Sequence, residues 1–395
     1  MEPNNDRSEP ERVCVIGAGT MGIGIAQVFA VGGHPVHVVE SNDGILNKNR
    51  ARLGHFLDRL VEKGNLSADA RGTIDGRLSF SKQIESVDSD ATLAIEAVVE
   101  DLDVKRRVLS FLDSRLSAEA VLASNTSSLS IVSLASACTH PDRVVGMHFF
   151  NPAPLMRLVE IIPSVTTTPG IVQRSRDVIK KLGKTPVIAK DVPGFIVNRV
   201  ARPFYGESLR ILEEGIADVP TIDTALRDIG GFRMGPFELM DLIGNDVNFS
   251  VTQSVYSSLF FDPRYRPSIV QQRMVEAGYL GRKSGRGYYD YSGNSEARPL
   301  EDVALQERIF NRVLCMLINE AVDAVSLSIA SPEDIDLAMT LGTNYPKGLL
   351  AWGSEVGFDG VLDTIDALYD EYHEDRYRAS PLLRRLAAGS VELDV

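Results

Sequence analysis

Residues 12–40 read RVCVIGAGTMGIGIAQVFAVGGHPVHVVE, and no other stretch restricts the fold as strongly. An apolar run sized for one buried strand (12–16) meets Gly17, Gly19 and Gly22, spaced G-x-G-x-x-G. Helical apolar spacing continues from Met21 to Ala30, and a second strand, PVHVVE, closes on Glu40. In such a turn the first glycine permits the tight reversal and the second lets backbone approach a pyrophosphate. The third lets helix and strand pack closely. The start of the helix, at Thr20 and Met21, offers uncommitted N–H groups and a positive dipole end to an anion. Glu40 stands where a carboxylate accepts hydrogen bonds from an adenosine ribose and repels a 2′-phosphate. Ser41 and Asn42 bring no cation to offset that repulsion, so the pattern predicts NAD rather than NADP. A glycine-rich turn without a ligand, or an FAD site, would share the glycines.

Strand-like runs recur at TLAIEAVV, VLAS, RVVGMHFF, RLVEII and TPVIA. Helical patterns lie between several of them: a long one over Asp43 to Lys63, and DLDVKRRVLSFLDSRL. Alternating strands and helices predict a mostly parallel, doubly wound α/β sheet of Rossmann type over 10–193. After DVPGF, near residue 194, strand patterns largely stop and two all-α regions are expected, 194–292 and 303–395. They look like copies of each other. Asn198 and Asn311, Glu207 and Glu320, Asp223 and Asp336, Gly235 and Gly348, and Gly244 and Gly357 are each 113 positions apart. That period is too long for a solenoid unit, and the polar stretch YSGNSEARPLED is the expected join.

The chain has 395 residues and a net charge of −13, which argues against nucleic acid or an anionic membrane as the main partner. An anionic substrate would need local Lys or Arg. Cys14, Cys138 and Cys315 form no CxxC pair and read as reduced thiols. The opening MEPNNDRSEPER is acidic and poor in apolar residues, and no apolar stretch is long enough to span a membrane. A cytoplasmic protein without a metal is expected.

Hydride transfer to NAD from an alcohol also requires a base for the hydroxyl proton. VVGMHFFNP places His148 at the end of a strand, where open α/β sheets hold their ligands. Twelve residues on, Glu160 lies inside the apolar run RLVEII and needs a buried partner. An imidazole oriented by that carboxylate suits general-base work; the plainer alternative is a structural histidine and a solvent-facing glutamate. Asn125, Ser127 and Ser128, in LASNTSSLS, can hold a carboxamide or a hydroxyl, or can simply cap a helix. In DVPGFIVNRVARPFY one helix is expected from about Phe195, with Asn198, Arg202 and Tyr205 on a single face.

The stretches GAGTMGIGIA, IEAVVEDLDVK, ASNTSSLSI, MHFFNPAPLMRLVEII, DVPGFIVNR, GPFELMDLIGND and GRKSGRGYYDY resemble the L-3-hydroxyacyl-CoA dehydrogenase family over 12 to about 291. The family's C-terminal domain is matched again from about 305 to 357. The resemblance implies that His148 is the base, Glu160 its orienting partner, and Ser127 and Asn198 hydrogen-bond donors to the substrate oxygen. It further implies that Glu100, Asn125, Lys105 and Lys283 lie near the NAD, and that Lys63 meets the CoA. A serine that joins this lysine in some members is Phe56 here. Shorter members have one helical domain and dimerise through it. The second copy here therefore reads as a built-in pseudo-partner with a structural Asn311 and one active site per chain, or the chain is a homo-oligomer. No hydratase-like segment is seen.

Arg202 stands where simpler members carry an apolar residue. The run NRVARPFYGESLR resembles the phenylacetate-degradation branch, which acts on 3-hydroxyadipyl-CoA, so Arg202 is a candidate receptor for a terminal carboxylate. Otherwise Arg202 pairs with an acidic neighbour such as Glu207, or with the surroundings of Glu160. 3-Hydroxybutyryl-CoA is the alternative substrate. Two other readings are a hydroxyacid dehydrogenase that does not use CoA and a non-catalytic, crystallin-like NAD-binding protein.

Overall fold

A computed structural model describes residues 9–293 and 298–393. The chain divides after Asp191 into two compact units. Residues 294–297 of the expected join lie outside the described residues, as do residues 1–8 of the N-terminus.

The first unit runs β1 (Val13–Ile16), α1 (Thr20–Val31), β2 (Val36–Val39), α2 (Asp43–Glu62), α3 (Ala68–Gly76), β3 (Leu78–Ser81), β4 (Leu93–Glu96) and α4 (Leu102–Arg115). It continues with β5 (Val121–Ser124), α5 (Ile131–Ala135), β6 (Val144–Phe149), β7 (Leu158–Pro163), α6 (Pro169–Lys181) and β8 (Thr185–Ile188). The eight strands order as β3-β2-β1-β4-β5-β6-β7-β8. All neighbours are parallel except β6 and β7, whose short connection lets them pair antiparallel. Strands β1, β4, β5 and β6 are buried along their whole length, which is why they read as unbroken apolar runs. Order reverses between β1 and β4, the switch point of such sheets. Gly17, Glu96, Ser124 and His148 all lie at or next to the carboxyl ends of β1, β4, β5 and β6.

The second unit is helical: α7 (Val197–Val200), α8 (Arg202–Glu213), α9 (Val219–Thr224), α10 (Pro236–Ile243), α11 (Asn245–Ser258), α12 (Ile269–Glu276), α13 (Val303–Ser326), α14 (Pro332–Thr343), α15 (Leu349–Val356), α16 (Phe358–Tyr372) and α17 (Pro381–Ala387). The single helix expected from Phe195 is broken: α7 ends at Val200, Ala201 intervenes, and α8 starts at Arg202. Pro203 explains the break, since it has no N–H to continue the ladder. At the position 113 residues on, Met316 lies inside the continuous helix α13.

The residue pairs 113 apart occupy matching places. Asp223 accepts from the N–H groups of Phe237 and Glu238 (2.9 and 3.0 Å), and Asp336 from those of Leu350 and Ala351 (2.8 and 2.9 Å). Gly244 and Gly357 each join two consecutive helices with positive φ, 105° and 86°. Charges cross reciprocally: Arg199 Nε donates to Glu320 (2.9 Å), and Arg312 Nε donates to Glu207 (2.8 Å). The Tyr265 hydroxyl completes the first cluster on Glu320, and the Tyr377 hydroxyl completes the second on Glu207 at 2.7 Å.

Candidate active site

The glycine turn shows which of its members serve the fold and which leave room for something else. Gly17 has φ +98°, and a Cβ there would lie 2.6 Å from the Ala97 carbonyl oxygen. A Cβ on Gly22 would lie 1.8 Å from the Gly17 oxygen, so these two glycines are demanded by packing. Around Gly19 a Cβ would meet no protein atom within 4 Å. The helix it begins has no side-chain cap and no acid in its first turn. By contrast Asn42, Ser67, Asp101 and Ser130 cap α2, α3, α4 and α5. An open, uncapped helix start fits an incoming pyrophosphate. Thr20 is exposed and Met21 half-buried at that start. The Glu40 carboxylate accepts from the N–H groups of Ala18 (3.0 Å) and Asn42 (2.9 Å), fixed beside the turn. Asn49 on α2, missed in the sequence reading, is buried and donates to the Ala18 carbonyl at 2.8 Å.

The ends of β4 and β5 carry a buried charge cluster. Glu96 is fully buried and accepts from Lys105 Nζ at 2.8 and 3.0 Å and from the Ser124 hydroxyl. Lys105 is only 1% exposed, and its ammonium also lies 3.3 Å from Glu100. Its charge is therefore engaged inside the protein, and a direct cofactor contact would need one of these pairs to yield. Glu100 in turn accepts from the Thr126 hydroxyl (2.6 Å), the Ser127 N–H (2.9 Å) and the Ser128 hydroxyl (3.0 Å). Burial pushes the Glu100 carboxyl up, but Lys105 and these donors outweigh it and hold it below the usual range. Asn125 Oδ1 accepts from the Phe149 N–H at 2.9 Å, which leaves its amide N–H groups as what it can offer a ligand. Glu96 was visible in the sequence as a carboxylate inside LAIEAVV, the same signal that singled out Glu160.

His148 and Glu160 face each other across the antiparallel pair β6 and β7. Their contact, Nδ1 to Oε2, is 2.6 Å, with the carboxylate 0% and the histidine 5% exposed. A carboxylate is an acceptor, so Nδ1 carries the proton and the ring lone pair lies on Nε2. That bond sets the tautomer, and the Phe150 ring packs 4.5 Å from the imidazole.

Lys63 is the exposed C-cap of α2. In the second unit Asn198 is half-buried in α7 and Arg202 buried at the start of α8. Lys283 pairs with Asp246 at 2.5 and 2.7 Å. Among the described residues no helix is long and apolar enough to cross a membrane, and no group of three or more His, Cys, Asp or Glu is placed to hold a metal ion.

A doubly wound sheet, an open glycine turn with an acid closing β2, and a carboxylate-held imidazole at the sheet's carboxyl edge define an NAD-dependent oxidoreductase. Residues 12–192 match the family model described as 3-hydroxyacyl-CoA dehydrogenase, NAD binding domain. The model for that family's C-terminal domain matches twice, at 194–291 and 309–391. The chain belongs to the 3-hydroxyacyl-CoA dehydrogenase family. It is 36% identical to 3-hydroxyadipyl-CoA dehydrogenase of Escherichia coli K12, over 95% of this chain and 97% of the relative. It is 40% identical to 3-hydroxybutyryl-CoA dehydrogenase of Bradyrhizobium diazoefficiens, over 72% and 96% respectively. The crystal structure of 3-hydroxybutyryl-CoA dehydrogenase from Escherichia coli K12 superposes with a TM-score of 0.91 at 35% identity, covering 97% of this chain and all of that one.

Proposed function

We propose that this enzyme oxidises (S)-3-hydroxyacyl-CoA thioesters with His148 as the proton acceptor. The observation that carries the reading is the 2.6 Å bond from His148 Nδ1 to the fully buried Glu160. NAD, when bound, would supply the acceptor for the hydride at C3. His148 Nε2 takes the hydroxyl proton, and Glu160 holds the ring and offsets the charge it gains. Ser127 and Asn198 donate hydrogen bonds to the substrate oxygen as its charge changes. The glycine turn, with Thr20 and Met21 opening α1, holds the pyrophosphate and Glu40 the adenosine ribose. Asn125 presents its amide N–H to the nicotinamide side, Glu100 arranges Ser127, and Lys105 steadies Glu100. Lys283 serves the cofactor and Lys63 the anionic CoA.

Two further parts of the reading concern the chain as a whole. Segments 194–292 and 303–395 act as two copies of one helical domain that form a pseudo-dimer, with a single active site per chain. The enzyme works in the cytoplasm. Its acyl group is a short monocarboxylic or dicarboxylic chain, as in the substrates for which its relatives are named, with Arg202 as the residue that meets a terminal carboxylate.

The test is NADH formation from 3-hydroxybutyryl-CoA and 3-hydroxyadipyl-CoA against the corresponding free 3-hydroxy acids, with NADP in parallel. Turnover of the thioesters with NAD, and little with the free acids or NADP, is expected. Equal turnover of the free acids would overturn the CoA reading, and equal use of NADP would overturn the role of Glu40.

A further inference from the structure

Arg202 is a buried cation with no carboxylate partner among the described residues. It is 7% exposed; Nη1 donates to the Thr252 hydroxyl at 3.1 Å, and the guanidinium carbon lies 4.9 Å from the Tyr205 ring centre. Its Nε has no acceptor. The acid nearest along its own helix, Glu207, is taken by Arg312 and Tyr377, which removes the plainer reading of an Arg202–Glu207 pair. Tyr345 joins this neighbourhood through Phe204, whose ring lies 5.5 Å from that of Tyr205 and 5.6 Å from that of Tyr345. Tyr345, from the second helical copy, is buried against Phe204 and Phe232, and its hydroxyl also lacks a partner. A guanidinium and a phenol are thus held in apolar surroundings with unused donors. Such groups persist at a cost unless an anion completes them.

The duplication supplies an internal control. At the positions 113 residues away, Arg202 corresponds to Cys315, Tyr205 to Ile318, Thr252 to Ile365, and Tyr345 to Phe232. All four of these are buried apolar side chains. The helical copy therefore packs without any polar group at these places, so the fold does not require the cation, the phenols or the threonine hydroxyl.

We propose that Arg202 and Tyr345, with Thr252 and Tyr205 bracing the guanidinium, form a carboxylate receptor for the far end of a dicarboxylic 3-hydroxyacyl chain. This rests on the dehydrogenase reading above and deepens it: the second helical copy contributes a specificity residue rather than only an interface. Guanidinium Nε–H and phenol O–H are both donors, which suits a carboxylate and rejects a methyl terminus that would leave them unpaired.

The experiment compares kcat/KM for 3-hydroxyadipyl-CoA and 3-hydroxybutyryl-CoA in the wild type, Tyr345→Phe and Arg202→Met, with thermal melts of each protein without ligand. The wild type should favour the dicarboxylic thioester. That preference should fall about tenfold in Tyr345→Phe and about a hundredfold in Arg202→Met. Neither variant should melt below the wild type, because each removes an unpaired buried donor. Turnover of both thioesters with a preference that moves less than threefold in both variants would overturn the receptor alone. So would a clear loss of melting temperature in Arg202→Met with the preference intact. Failure of the wild type to turn over either thioester would overturn the dehydrogenase reading and the receptor with it.

Discussion

Replacing Glu160 by Gln keeps the shape of the site and removes one negative charge. In the native enzyme the carboxylate is fully buried and 2.6 Å from His148 Nδ1. When His148 accepts the substrate proton, a cation forms beside that carboxylate. Two unit charges about 4 Å apart at an effective dielectric of about 20 attract by roughly 4 kcal/mol. Part of this attraction survives in Gln as a neutral hydrogen bond worth about 1 kcal/mol. The loss of transition-state stabilisation is then about 2–4 kcal/mol, or a kcat lower by roughly 30- to 1,000-fold. The assay is steady-state NADH formation at saturating NAD and 3-hydroxyacyl-CoA, with NADH titration and a thermal melt as controls. NADH affinity and the melt should change little, since the replaced oxygen lies between β6 and β7, away from the glycine turn. A kcat within threefold of the wild type would refute the argument that Glu160 stabilises the charged ring.

The other expectations use the same logic on different parts of the chain. Gly22→Ala places a Cβ 1.8 Å from the Gly17 oxygen and should cost about 2 kcal/mol or more of stability, read by thermal or urea unfolding. Gly19→Ala meets no protein atom within 4 Å, so it should melt like the wild type but bind NADH at least tenfold more weakly by fluorescence titration; unchanged affinity would remove Gly19 from the cofactor site. Burial pushes the Asp223 carboxyl up to about 7, against the hydrogen bonds it accepts from Phe237 and Glu238. The folded protein then keeps a proton that the unfolded chain releases near pH 4, so this group's contribution to stability is full below about pH 4 and is lost as pH rises through 7. Glu11, Glu100 and Asp113 titrate below their ordinary values, so their contribution is lost only in acid, outside that window. Unfolding between pH 5 and 8 should accordingly show a steeper fall in the wild type than in Asp223→Asn, and parallel curves would contradict the assignment.

Much of the first unit could be read because its strands are buried on both faces and its turn is built from glycines that packing demands. Strand β3 escaped because LSFS is a short, half-exposed edge strand whose neighbours on one side are solvent, so no apolar signal marks it. The pairing of His148 with Glu160 was legible as two unusual residues in apolar runs. Their register, one directly across from the other, depends on how β6 turns back into β7, which composition does not encode. Lys105 is placed near the NAD only by its resemblance to the family's cofactor-contacting lysines. Only the fold reveals that Glu96, nine residues earlier, lies within reach on the neighbouring element.

The helical half makes a different point, because the chain contains its own comparison. Where the two copies agree, the shared residues have matching work. Glu207 and Glu320 each receive an arginine and a tyrosine from the opposite copy, and Asp223 and Asp336 each hold the start of a helix. Among the many positions where they disagree, one group concerns us: Arg202 against Cys315, Thr252 against Ile365 and Tyr345 against Phe232, with Pro203 against Met316 beside Arg202. Drift on a helical surface would scatter polar changes over exposed positions, where they cost little. Here Arg202 and Tyr345 are buried, with donors left over, at 7% and 6% exposure. Burying polar groups where an apolar set packs equally well is unfavourable for folding. Their presence in one copy and absence from the other therefore points to selection for a ligand, and that inference fails if Arg202→Met and Tyr345→Phe leave the choice between thioesters untouched.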